Sequence, residues 1–149
     1  MKKNTVSLEN QTVTSSTQTV ILERLEGLAL LAASVAVYAS NPDWILFAVL
    51  LLVPDLAMAG YLRGPRFGAI TYNLAHLKIL PLALGTIGLL TSNTLEIQLA
   101  LIWFAHIGMD RALGYGLKLE TGFSDTTLGK IGPRSKENRT EKNLTRPAH

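Results

Sequence analysis

His106 and Asp110 stand four residues apart in an apolar stretch, a spacing that puts two side chains on one face of a helix. An imidazole and a carboxylate so placed are what helical bundles use to hold metal ions. Upstream, Tyr72, Asn73 and His76 share a helical face by the same spacing, and Asp55 follows Pro54 inside another apolar run. Glu26, Arg24 and Arg111 are further charged residues within or beside apolar sequence. Histidine and aspartate together suit Zn, Mn or Fe. The chain has no cysteine, which removes disulfides, thiolate nucleophiles and cysteine-ligated metal clusters from consideration.

What must position these groups is a set of long apolar segments. Crossing about 30 Å of hydrocarbon takes roughly 20 helical residues. Four stretches approach that length, about Val20–Ala39, Trp44–Leu62, Gly68–Leu90 and Leu95–Leu117. Pro54 and Pro81 lie inside the second and third, and each is expected to kink its helix. The connectors Ser40-Asn41-Pro42-Asp43, Arg63-Gly64-Pro65-Arg66-Phe67 and Thr91-Ser92-Asn93-Thr94 are short and built of turn formers, so consecutive helices are expected to be antiparallel neighbours. Only the middle connector carries arginine, and both ends of the chain are basic. By the positive-inside rule, the tails and the middle connector belong in the cytoplasm. The expected fold is therefore all-α: a four-helix transmembrane bundle in the cell membrane with both termini cytoplasmic. A water-soluble bundle fits less well, since the second segment before Pro54 and the third after Lys78 are apolar all round.

The ends are of different material. Residues 1–19 are rich in Ser, Thr, Asn and Gln and read as a disordered polar tail. Lys2 and Lys3 precede that polar stretch where the apolar core of a signal peptide would begin, so the apolar segments are expected to stay in the mature protein. From 133 to 149, Arg134, Lys136, Arg139, Lys142 and Arg146 mark a basic disordered tail. Between them, residues 118–132 form a juxtamembrane segment that retains Phe123 and Leu128; it reads equally as a cap over the cytoplasmic mouth and as a plain linker.

The topology assigns depth to the scattered polar groups. At about 1.5 Å per residue, Glu26, Asp55, His76, His106 and Asp110 all fall roughly 9–16 Å below the cytoplasmic boundary. Ionisable groups in that position are costly and point to function by default. Asp55, His76, His106 and Asp110 are the candidate metal ligands, Glu26 the candidate general base and Arg111 the candidate stabiliser of an anionic group. The alternative is a buried network, Arg111 with Asp55 and Arg24 with Glu26, that only pins the bundle together.

Several of these motifs carry a resemblance to a known family. Arg24-Leu25-Glu26-Gly27, Pro54-Asp55-Leu56, Gly60-Tyr61, Tyr72-Asn73-Leu74-Ala75-His76 and His106-Ile107-Gly108-Met109-Asp110-Arg111, running into Gly114-Tyr115-Gly116-Leu117-Lys118, occur in order. Over about Leu22 to Gly132 the chain resembles the membrane family called domain of unknown function 4260. The resemblance implies a small bacterial-type membrane protein and brings no established reaction with it. Where that family typically reads Thr-His-Leu-Gly, this chain has Thr126-Thr127-Leu128-Gly129, which raises the question of whether position 127 supplies a ligand. The Pro-Asp and His-x-x-x-Asp pieces are also similar to those of membrane-bound metal-dependent hydrolases, as analogy only.

Three functions compete on this evidence. The leading one is a metal-assisted, hydrolase-like membrane enzyme acting on a lipid-like substrate. The second is a proton- or ion-handling transporter subunit, which with four short spans would need a homo-oligomer; Gly85 and Gly88 are candidates for close helix packing. The third is a non-catalytic scaffold. No phosphate-binding glycine loop, nucleophile elbow or aromatic-basic surface for nucleic acid is present, so the lipid bilayer is the expected partner and nucleic acid is not.

Overall fold

The computed structural model describes the backbone of residues 3–130 and the side chains of residues 18–128. The basic tail expected from residue 133 lies outside the described residues. Helix α1 (Lys3–Tyr38) is followed by α2 (Trp44–Leu50), an 11-residue 3-10 helix (Val53–Arg63), α3 (Pro65–Ala75), α4 (Ile79–Thr91) and α5 (Thr94–Leu113). A small antiparallel hairpin of β1 (Asp125–Thr126) and β2 (Gly129–Lys130) closes the described chain. α1 begins well before the apolar segment. Neither glycine nor proline interrupts residues 3–19, and helix carries through the stretch expected as a tail.

The connectors work as their residue types suggest. Asp43 caps α2 by accepting from the Leu46 amide at 3.0 Å, and Asn93 caps α5 by accepting from Leu95 and Glu96 at 3.1 and 3.4 Å. Gly64, at φ 119°, supplies the backbone shape that precedes Pro65 at the start of α3. Gly114, at φ 96°, ends α5, and the amide of Tyr115 turns back to the Asp110 carbonyl at 2.8 Å.

The two prolines interrupt their helices outright. Pro54 has no N–H for the carbonyl four residues earlier, and the chain leaves α geometry at Leu51–Leu52 to continue as 3-10 helix. A 3-10 run of this length is unusual and commonly marks a functional break. In the third segment the interruption falls at residues 76–78, upstream of Pro81, which sits in the first turn of α4. Leu77 is the residue whose carbonyl Pro81 cannot serve. At the second break Trp103 Nε1 donates to Ala75 O at 2.7 Å, and within the 3-10 helix Ala57 O accepts from Thr71 Oγ1 at 2.9 Å.

α5 is the central helix, packed by α1, by α4 and more lightly by α2, while α3 packs on the 3-10 helix. Consecutive helices are thus not always the main neighbours: α1 lies along α5 instead of the second segment. The reason is a pair of glycines. A Cβ on Gly108 would stand 2.6 Å from Leu31 N, and one on Gly27 would stand 2.5 Å from Arg111 Cβ. Gly88 and Gly85 do the same for α4 against α5, facing Ile97 and Ala100.

Two segments are long and apolar enough to cross a membrane, Trp44–Arg63 with mean hydropathy 2.2 and Pro65–Thr91 with 1.6. A core helix of a water-soluble protein would be mostly buried, whereas only 6% and 17% of these windows are. Ile45, Leu62 and Leu90 are among many large aliphatic side chains left exposed. α1, with Glu23, Arg24 and Glu26, and α5, with Glu96, Asp110 and Arg111, are more polar.

Candidate metal centre

The two helix breaks and α5 meet at one point. Asp55 lies in the first turn of the 3-10 helix, His76 is the residue at which α3 stops, and His106 and Asp110 project from one face of α5. Each offers one ligand atom, and these four atoms lie within 4.8 Å of one another. His76 Nε2 stands 2.9 Å from His106 Nε2, 3.3 Å from Asp110 Oδ2 and 3.7 Å from Asp55 Oδ1. His106 Nε2 is 3.6 Å from Asp55 Oδ1 and 4.0 Å from Asp110 Oδ2. With metal–ligand bonds of about 2.0–2.1 Å, the edges of a tetrahedron are about 3.3 Å long, and the observed edges bracket that length.

Hydrogen bonding around the cluster aims the ligand atoms inward. His76 Nδ1 is 2.7 Å from the Tyr72 carbonyl, which can only accept, so Nδ1 carries the proton and the lone pair of neutral His76 is on Nε2. The Tyr72 ring stacks on His76 at 3.7 Å, and its hydroxyl donates to Asp110 Oδ2 at 2.8 Å. Such outer contacts hold metal ligands in register. His106 Nδ1 has no hydrogen-bond partner, although the backbone of Leu51, at the break in the second segment, interacts with the ring. Asp55 Oδ1 is likewise buried without a hydrogen bond. Without an ion, His106 Nε2–H can donate to His76 Nε2 at 2.9 Å, which leaves the buried Asp55 Oδ1 as the ligand atom with no hydrogen bond. A cation among the four ligand atoms satisfies every one.

We expect Tyr72→Phe to weaken metal binding by about 10- to 100-fold, the usual cost of losing an outer-shell partner. Competitive titration against a chromogenic chelator measures it, and unchanged affinity would mean that the phenol does not orient Asp110.

The remaining sequence candidates divide. Arg111 is half-buried next to Asp110, whereas Glu26 is exposed on α1, and no ion pair or hydrogen bond joins it to the cluster among the described residues. The pinning network is not formed there either: Arg24 Nε donates to Ala112 O at 3.0 Å, and Asp55 faces the imidazoles instead of Arg111. Thr127 is exposed and bonds Leu117 through its hydroxyl and amide, so position 127 supplies no ligand to the four-residue cluster.

Beside the cluster is a cavity of about 290 Å³ lined by Asp55, Met58, Tyr72, Asp110, Tyr115, Lys118 and Phe123. Its wall includes both carboxylates and neither histidine. Lys118 and Phe123, from the segment that folds back after α5, form part of its lining. Asn73 grips that segment by its amide, donating to Lys118 O at 2.9 Å and accepting from Lys118 N at 2.7 Å, and Phe123 packs edge-on against Tyr61. Lys118 is buried. Burial lowers its pKa from the ordinary lysine value, opposed by the charges of Asp110 and Asp55. Sequence reasoning had no signal for it, because the pairing of Asn73 with a backbone 45 residues away has no local pattern.

A family model described as Domain of unknown function (DUF4260) matches residues 20–131. The chain belongs to that family. The DUF4260 match spans all four cluster residues, both helix breaks and the folded-back segment through β2. No curated protein and no solved structure matches the chain.

Proposed function

We propose that this chain is a multi-pass membrane protein that binds one divalent ion, Zn, Mn or Fe, through Asp55, His76, His106 and Asp110, and uses it in hydrolase-like chemistry on a lipid-like substrate. The observation that carries the reading is the convergence of four buried or half-buried ligand atoms within 4.8 Å, one of them an orphaned carboxylate oxygen. Two carboxylates and two neutral imidazoles carry two negative charges, and a divalent ion cancels them. That balance matters most in a low-dielectric surrounding.

The membrane setting is supported by the apolar and exposed character of Trp44–Arg63 and Pro65–Thr91. In the proposed topology α1 and α5 complete a four-helix bundle, with the arginines of the Arg63–Arg66 connector and both termini in the cytoplasm. The folded-back segment then covers the cytoplasmic mouth.

The ion would polarise a substrate oxygen or activate water. Both histidines are fully enclosed, whereas Asp55 is partly exposed and lines the cavity with Asp110, so reacting groups would approach from the carboxylate side. Arg111 remains suited to an anionic group. Glu26, exposed on α1 and away from the cavity, is not placed to act as the base.

The test is elemental analysis of protein extracted with detergent from the membrane fraction. The expected result is about one divalent ion per chain, removable by chelator and restored on addition. Protein that stays metal-free after incubation with Zn, Mn and Fe(II) would overturn the proposal.

A further inference from the structure

Lys118 is the cationic group most deeply buried beside the cavity. Its side chain is rooted by the two hydrogen bonds between Asn73 and its own backbone. The ammonium donates to Phe123 O at 2.8 Å and lies 4.2 Å from the centre of the Phe123 ring and 5.3 Å from that of Tyr72. An ammonium has three donors, and the protein gives this one a single carbonyl and two aromatic faces. Among the described residues no carboxylate lies within ion-pair distance of it, although it is only 4% exposed. Asp55 and Asp110 line the same cavity but do not pair with the ammonium directly, so its remaining donors border a space large enough to admit an anion.

The charge count sets the sign of the ligand. With a divalent ion balancing Asp55 and Asp110, Lys118 would be the uncompensated charge lining the cavity. An anion therefore fits. Lysine is a compact point charge lacking the fork that matches a carboxylate, and together with a divalent ion it suits the oxygens of a phosphoryl group. Met58 and Phe123 give the same cavity apolar wall.

We infer that the cavity is a subsite for a phosphoryl group, held between the metal centre and the Lys118 ammonium, with the organic part of the ligand against Met58 and Phe123. The inference rests on the metal reading of the same site. It names the substrate class as a phosphate ester or phosphate, whether from a lipid headgroup or a soluble source.

The experiment uses full-length protein in detergent loaded with Mn(II), with inorganic phosphate and dihexanoyl phosphatidic acid as separate probes followed by phosphorus NMR. Paramagnetic relaxation of the probe phosphorus, absent when Zn replaces Mn, is the expected result. Tighter binding of the phosphatidate marks a lipid source, and equal binding marks a soluble phosphate. Lys118→Met is expected to weaken either probe by about tenfold or more, the loss for a hydrogen bond to a charged group, while the metal content stays unchanged and Lys118→Arg recovers most of the affinity. Mn uptake without phosphorus relaxation, or undiminished affinity in Lys118→Met, overturns this inference alone. Failure to take up Mn, Zn or Fe(II) overturns the metal reading and this inference with it. If Lys118→Met does not fold, the relaxation measured on the unaltered protein decides.

Discussion

Replacing His106 by alanine is expected to reduce affinity for a divalent ion by more than about 100-fold, beyond what loss of an outer-shell partner costs. His106 is fully buried on α5, and its Nε2 stands within 4.0 Å of ligand atoms from two other segments and from Asp110 one turn along α5. Alanine removes a donor that no neighbour replaces, because the surrounding α5 residues Ala105 and Ile107 offer only apolar groups. The change also opens a cavity, so folding must be read beside binding. Thermal unfolding in detergent with and without EDTA separates the two. The unaltered protein should lose stability when the chelator strips its ion, since a ligand that binds only the folded state stabilises it. The alanine variant should unfold at the same temperature in either buffer. Chelator-insensitive unfolding of the unaltered protein would instead mark the cluster as a hydrogen-bonded pin. Stoichiometric, tight metal in His106→Ala would remove His106 from the ligand set.

Much of the site was legible because each piece has a local signature. The four-residue spacing of His106 and Asp110 places them on one face wherever α5 lies, and the depth argument brings Asp55 and His76 to the same level. The same depth argument misplaces Glu26. Depth fixes height along the bundle but not direction around a helix, and α1 turns Gly27 toward α5 while Glu26 faces outward. The breaks at residues 51–52 and 76–78 were legible as proline effects, though not their coincidence with Asp55 and His76. The break at residues 76–78 is held by Trp103 donating to the Ala75 carbonyl from 28 residues away, a contact that no local pattern announces. Lys118 and the folded-back segment were hidden for the same reason: Asn73 makes the link, and a lone asparagine in an apolar run reads equally as a polar helix face. That Trp44–Arg63 and Pro65–Thr91 are long and apolar enough to cross a membrane was plain from composition, since the hydropathy of a run needs no tertiary information.

Gly108→Ala is expected to cost about 3 kcal/mol or more of stability, the upper range for overpacking. The added methyl would lie 2.6 Å from Leu31 N, 2.8 Å from Gly27 O and 3.0 Å from Leu31 Cα. All three are backbone atoms of α1, so no rotamer change relieves the clash and the two helices must part. Gly85→Ala is the matched control: its methyl meets only the Ala100 methyl, at 3.1 Å, and a small shift accommodates it. The position also separates stability from chemistry. Gly108 is two residues from both His106 and Asp110, about 200° away around α5, so the glycine face and the metal face are on opposite sides of one helix. Folded Gly108→Ala should therefore keep a metal affinity within a few-fold of the unaltered protein while unfolding at lower temperature or lower SDS. Equal stability of the two proteins would show that α1 and α5 are not in backbone contact. A parallel collapse of metal affinity in the folded variant would show that α1 holds the metal face of α5 in place, which would make the longest helix of the chain part of the site's support.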